Sequence, residues 1–179
     1  TYAAVQLFVE RARRVQTSFQ LNPAEGAHVA RICQLVGGMP LGLELAASLL
    51  RERTLPAVSA ALQENLAVLA ATLRDVPLRH RSLQAVFDSS WVLLTPNQQR
   101  ILAACTLFPG DFSAEAAAAI IDAPATDLAS LVDAALLQSA GARRFNMHRR
   151  VQEYAARHLA AAAAATIRQR HSTYYLHWL

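Results

Sequence analysis

Val36-Gly37-Gly38-Met39-Pro40-Leu41-Gly42-Leu43-Glu44-Leu45-Ala46-Ala47 is the stretch whose reading decides the fold. Upstream of it, Val29, Ile32, Cys33 and Val36 recur at helical spacing, and a helix that reaches a glycine pair ends there through a left-handed C-cap. Pro40 then takes the first position of a new helix, where its missing N–H costs nothing. That helix runs to about Arg53 with Leu41, Leu43, Leu45, Ala46, Leu49 and Leu50 around most of its circumference, so it is expected at the centre of its unit. The stretch is therefore a rigid corner between two buried helices.

Outward toward the N-terminus, Val5, Phe8, Val9, Ala12 and Val15 make residues 3–16 amphipathic. Asn22-Pro23 opens the helix that ends at Gly37. Outward toward the C-terminus, Leu55-Pro56 begins a fourth helix that runs to about Leu73, with a break expected near Asn65. Residues 1–73 thus read as a four-helix bundle. Polar, proline-bearing residues 74–81 read as a linker and hinge. Beyond them, Ser82 and Thr95-Pro96 cap two further helices, Ser113 precedes a short alanine-rich one, and Thr126 starts another. Leu136 to Met147 is the segment with hairpin character, two short runs around Gly141. A helix with Val151, Tyr154, Ala155, His158 and Leu159 facing inward follows. Helices, then a hairpin, then a helix give residues 74–163 a winged-helix outline. Residues 164–179 read as the first helix of a following repeat or sensor region, with Tyr174, Tyr175 and Trp178 left without a surface to pack on. The expected fold is mainly α: a four-helix bundle, a winged helix with a short β-hairpin, and the start of a helical repeat.

Composition supports a helical, folded chain. Of 179 residues, 54% are hydrophobic and 17% charged, and only six are glycine, a composition that buries a core. All 17 basic residues are arginine, and the net charge is +4. Such a balance permits nucleic-acid contact without demonstrating it. Cys33 and Cys105 both lie in apolar helical patterns and read as buried free thiols in a reducing, cytoplasmic setting. No signal peptide opens the chain, and the run from Leu159 to Ile167 is too short to span a bilayer, so no membrane role is expected. The lack of Met at position 1 and the end at Trp178-Leu179 read as an excised piece of a longer protein.

Catalysis is not expected. Gly37-Gly38 lacks the lysine and hydroxyl residue of a P-loop, no nucleophile sits in an elbow, and the six histidines are dispersed without metal-ligand spacing. Two places carry binding potential instead. The Gly37–Pro40 corner offers an apolar edge on which a flat ring can rest. Phe145-Asn146-Met147-His148-Arg149-Arg150 places a histidine at a helix start, where free N–H groups favour anions.

Taken in order, these motifs resemble a known family. Gly38-Met39-Pro40-Leu41 is similar to the G-[LM]-P-L motif of the STAND-type signalling NTPases, the group that includes NB-ARC proteins. Arg79 to Leu83, Trp91 to Pro96 and Phe108-Pro109-Gly110-Asp111-Phe112 resemble the opening and next turn of the winged helix in bacterial members with tetratricopeptide repeats. Phe145-Asn146-Met147-His148 resembles the start of the Met-His-Asp motif. The resemblance implies the C-terminal part of an NTPase module, residues 1–73 and 74–163 matching its helical-bundle and winged-helix parts, with the P-loop domain preceding and repeats following. It implies Pro40 against the adenine and His148 at the β-phosphate of ADP, with weaker roles for Gly38, Met39 and Arg149, the last standing where the family has aspartate. It also implies a nucleotide-switch regulator of transcription, ADP or ATP as cofactor of the full-length protein with little affinity for this fragment, and oligomerisation on activation.

A DNA-binding winged helix using Arg143, Arg144, Arg149 and Arg150 is the alternative. Against it, the segment from Ser113 to Ile121, read as the recognition helix, is nearly all alanine and offers bases little. A plain helical-repeat scaffold predicts a period of about 34 residues, and no internal repeat precedes Thr166.

Overall fold

The computed structural model describes residues 2–72, 77–141 and 143–176. They form a mainly helical chain with one small sheet, in two compact units that divide between Leu93 and Leu94.

The first unit is built of α1 (Tyr2–Val15), α2 (Gly26–Leu35), α3 (Pro40–Ser48), a 3-10 turn (Leu49–Arg51), α4 (Leu55–Thr72) and α5 (Leu78–Trp91). The corner between α2 and α3 is a complete Schellman motif. Gly38 N–H donates to Cys33 C=O (2.9 Å), Gly37 N–H donates to Gln34 C=O (3.0 Å), and both glycines have positive φ, at 63° and 65°. Met39 is extended, Pro40 follows at the helix start, and the α3 ladder opens with Leu43 N–H to Met39 C=O at 2.9 Å. α3 is the hub of the unit, packing on α1, α2 and α5. Leu43, Leu45, Ala46 and Ala47 are buried with Phe8, Ile32, Val58, Leu62 and Val86. Arg11 pairs with Glu44 at 3.0 Å and ties α1 to α3.

Three local expectations change. Pro23 does not start α2. Asn22 instead closes a turn, its Oδ1 accepting from Glu25 N–H at 2.9 Å, and the helix begins at Gly26. α4 does not break at Asn65, whose amide reaches across to α5 and donates to Ser89 Oγ at 2.8 Å. α5 begins at Leu78, ahead of Ser82, with Pro77 at its N-cap. Of the expected linker, residues 74–76 lie outside the described residues. α5 itself packs on α3 and α4 within the first unit.

The second unit contains α6 (Pro96–Cys105), β1 (Phe112–Ser113), α7 (Ala114–Ile121), α8 (Ala125–Asp133), β2 (Gln138–Ser139), β3 (Arg144–Asn146), α9 (Arg149–Ala155), a 3-10 turn (Ala156–His158) and α10 (Ala161–Leu176). Thr95 and Gln98 cap α6 reciprocally, and Ser113 Oγ caps α7 by accepting from Ala116 N–H at 3.1 Å. The hairpin is joined by a third strand to give an antiparallel sheet in the order β1-β3-β2, with Phe112 opposite Phe145 and Gln138 opposite Asn146. This is the winged-helix arrangement of three helices and a small sheet. Ile101, Leu102, Phe112, Ile120, Leu128, Leu131 and Val151 form its core.

α10 finds a surface through residues other than the aromatic ones named above, and Tyr175 stays exposed. The helix packs on α7, buries Ala164, sets His171 beside Phe108 with ring centroids 5.9 Å apart, and pairs Arg170 with Asp122 at 2.6 Å. Trp178 lies outside the described residues.

Candidate functional site

At the α2–α3 corner, Gly37, Gly38 and Pro40 are exposed and Met39 is half-buried. Pro40 therefore presents its ring to solvent, while the turn beneath it is held by the Schellman bonds. Beside the corner opens a cavity of about 390 Å³ lined by Ala3, Ala4, Cys33, Gln34, Gly37 and Gly38. Burial pushes the Cys33 thiol up from its ordinary pKa, so its sulfur contributes apolar surface and not a nucleophile. At Gly38 it is the positive φ that calls for glycine, since the space beside it would admit a side chain. A Cβ there would lie 3.8 Å from Ala4 Cβ, and α1 runs alongside.

His148 is the N-cap of α9. Its Nδ1 accepts from Arg150 N–H at 3.1 Å. With Nδ1 occupied as an acceptor, the neutral ring carries its proton on Nε2, which leaves an outward donor at an exposed position. Arg149 and Arg150 are less available than their charge suggests. Arg149 Nε and Arg150 Nη1 each reach the Glu153 carboxylate at 3.0 Å, although the Arg149 side chain is 86% exposed. Burial opposes ionisation of Glu153, but the hydrogen bonds from the two arginines outweigh it and hold its carboxyl below the ordinary value.

The other wing arginines are engaged in the same way. Arg143 pairs with Glu115 at 3.3 Å, and Arg144 Nη2 donates to Asp111 C=O at 3.0 Å. The Glu115 carboxyl is lowered first by its own backbone N–H, then by Ser113 and Arg143. Neither Glu115 nor Glu153 is expected from the sequence as an arginine partner. For Glu153 the signal was available, since Arg149 and Glu153 stand at i,i+4.

The recognition helix also moves. α8, not Ser113–Ile121, leads into the hairpin and follows α7 as the second helix of the pair. Its exposed positions are Ala125, Thr126, Ala129, Ser130 and Asp133, with no cation among them. The expected site residues thus fall into two groups, Gly38, Met39 and Pro40 in the first unit and His148 and Arg149 in the second. Among the described residues no cluster of three or more histidine, cysteine or carboxylate side chains could hold a metal ion, and no helix is long and apolar enough to cross a membrane.

The chain, a helical bundle followed by a winged-helix unit, is related to segments of bacterial helix-turn-helix-type transcriptional regulators. A protein of Mycobacterium tuberculosis named as an HTH-type transcriptional regulator is 31% identical over 185 residues, which takes in 98% of this chain and 21% of that protein. The regulatory protein AfsR of Streptomyces coelicolor is 39% identical over 131 residues, 66% of this chain and 12% of AfsR. An uncharacterized M. tuberculosis protein is 33% identical over 122 residues, covering 67% of this chain and 30% of its own length. The chain spans about a fifth of the length of the first of these relatives. No protein-family model matches it.

Proposed function

We propose that the chain is the regulatory part of a bacterial transcriptional regulator of the STAND type, with ADP favouring the resting form of the longer protein. The observation that carries this reading is the α2–α3 corner. Two consecutive glycines at positive φ hold the turn that leads into an exposed Pro40, and the same two glycines line an open cavity with Ala3, Ala4, Cys33 and Gln34. That is a preformed seat for a flat ring, and ligand sites are usually preformed and apolar with few polar groups. In the second unit, His148 supplies an Nε2 donor suited to a phosphate oxygen. Arg149 does not fit so readily, because a phosphate must displace the Glu153 carboxylate from it. The two buried free cysteines, Cys33 and Cys105, suit a reducing cytoplasm.

The test uses the longer natural protein, with its upstream segment, and measures ADP affinity. Pro40→Ala and His148→Ala are each expected to weaken binding about tenfold, roughly 1.4 kcal/mol. Unchanged affinity in both removes the reading.

A second reading is contact with DNA through the arginine-rich wing, and the relatives' names support it more directly than they support nucleotide binding. The local chemistry opposes it. All four wing arginines already have partners, and α8 exposes no cation. Exposed ion pairs are weak, however, about 0–1 kcal/mol, and phosphates can compete for them. Four neutralised phosphates would give a logarithmic salt slope of about −3.6. A mobility-shift series on this chain that yields that slope establishes the second reading, and no salt-dependent shift rejects it.

A further inference from the structure

We infer that the second unit carries a separate small-molecule pocket, which takes a planar ligand presenting an amide-type edge, an N–H beside a C=O. The pocket is a cavity of about 280 Å³ at the open side of the sheet, distinct from the α2–α3 corner. Three carboxamides line it, Gln138 of β2, Asn146 of β3 and Gln152 of α9. Gln138 and Asn146 are direct cross-strand partners, so their side chains share a face of the sheet. Asn146 Oδ1 is buried and has no hydrogen-bond partner. Buried acceptors are rarely left unpaired, because the desolvation they suffer is not returned. A ligand N–H at this position repairs that deficit. Gln152 is already committed, its Nε2 donating to Thr106 C=O at 3.0 Å, which fixes the wall in place.

The remaining lining sets the ligand class. Phe108 and Phe112 line the cavity as a stacked pair, ring centroids 4.3 Å apart, and, being almost wholly buried, close its apolar floor and leave a ligand only a sliver of aromatic surface. Asp111 is the charged lining residue, and none of the lining residues is basic, so an anion is disfavoured. The volume lies at the lower end of ligand pockets, about 300–1,000 Å³. It suits a single ring with an amide or a nucleobase-like edge, and it is too small for a nucleotide. Met147 lines the same cavity one residue before the His148 cap. Occupancy would therefore be felt at the start of α9, a natural arrangement for a regulator that responds to a metabolite.

The test is a titration of the whole 179-residue chain with nicotinamide and, separately, with uracil, followed by ¹H–¹⁵N correlation spectra. Benzene is the control, lacking the edge. Either amide-edged probe is expected to give saturable shifts at the side-chain amides of Gln138, Asn146 and Gln152 and at the backbone of 108–112, with benzene giving none. Asn146→Leu is expected to weaken binding by about tenfold or more, because the site then loses the acceptor it was built around. If that variant does not fold, Gln138→Ala at an exposed strand position decides on the same terms. Which probe saturates first separates a carboxamide source from a nucleobase source. Absence of saturable shifts with both probes, equal binding by the folded variant, or an experimental structure in which ordered water alone satisfies Asn146 overturns the proposal.

Discussion

Glu153 decides how much positive charge the wing shows. It holds Arg149 and Arg150 together from one exposed position, and its carboxyl titrates below the ordinary value because the arginines favour its charged form. The sign follows from linkage. A depressed carboxyl contributes stability at pH above its unfolded value and loses it as pH falls through the lower folded one. Carbon-detected titration should therefore place the Glu153 midpoint below that of a free glutamate. In Glu153→Gln the two arginines are released. If the wing meets DNA, this variant should bind it more tightly and steepen the logarithmic salt slope by about 1–2, whereas an unchanged slope shows that the wing is not a phosphate surface. Ala135 is a second residue with a testable conformation. It closes α8 in a Schellman motif with φ at 59°, the place glycine normally fills. Left-handed backbone costs a non-glycine residue about 1–2 kcal/mol, and glycine returns about 0.4–1 kcal/mol of that through unfolded-state entropy. Ala135→Gly should stabilise the chain by about 0.5 kcal/mol in urea unfolding.

The corner beneath Pro40 holds its shape because α3 packs closely on its neighbours. Gly42 shows how closely. A Cβ there would lie 3.0 Å from Val36 Cβ, an atom anchored to the backbone, and 3.7 Å from Leu83 Cδ2 of α5. Alanine at this position gains about 1 kcal/mol of helix propensity but forces an overpacked contact that costs about 1–3 kcal/mol. Gly42→Ala should therefore destabilise by about 1 kcal/mol net. Gly26→Ala makes the internal control, since nothing lies within 4 Å of a Cβ there, and it should be neutral or mildly stabilising. Thermal unfolding of the two variants side by side checks both statements. The α2–α3 corner was legible in the sequence because each of its signals is local: a glycine pair, a proline at the helix start, an apolar helix on either side. β1 was not. Two residues inside Phe108-Pro109-Gly110-Asp111-Phe112-Ser113 are too few for a period of two to show, and the strand exists through pairing with β3, some thirty residues away in the chain. The start of α5 was hidden for another reason. Leu78 to Arg81 are mostly polar and carry no periodicity, so in the sequence the helix reads as beginning only at Ser82. The three carboxamides were likewise invisible, because they meet only when the hairpin register sets Gln138 opposite Asn146.

Across the whole chain, each unit closes its own core. Leu43 and Leu45 of the first are buried among α1, α2, α4 and α5, and Ile101, Ile120, Leu128 and Leu131 of the second among α6, α7, α8 and α9. A unit with its own core can fold alone, and at 86 residues the second, from Leu94 to Leu179, is above the size at which disulfides or metals become necessary. What completes it is α10. A helix with so little amphipathic character does not persist in water by itself, and it is held here by Ala164 under α7, by His171 beside Phe108, and by Arg170 on Asp122. Asp122 is a rigid anchor for that last contact. It ends α7 at a φ of 51°, and Arg100 donates to the carbonyls of Ile121 and Asp122 at 2.9 and 3.2 Å. Residues 94–179 expressed alone should therefore give a cooperative unfolding transition and helical circular dichroism. Arg170→Ala removes an exposed pair and should cost that unit only about 0–1 kcal/mol. Amide exchange is expected to accelerate along α10 while α6 and α7 stay protected. Exchange that accelerates equally throughout the unit would instead make α10 an inseparable part of its core.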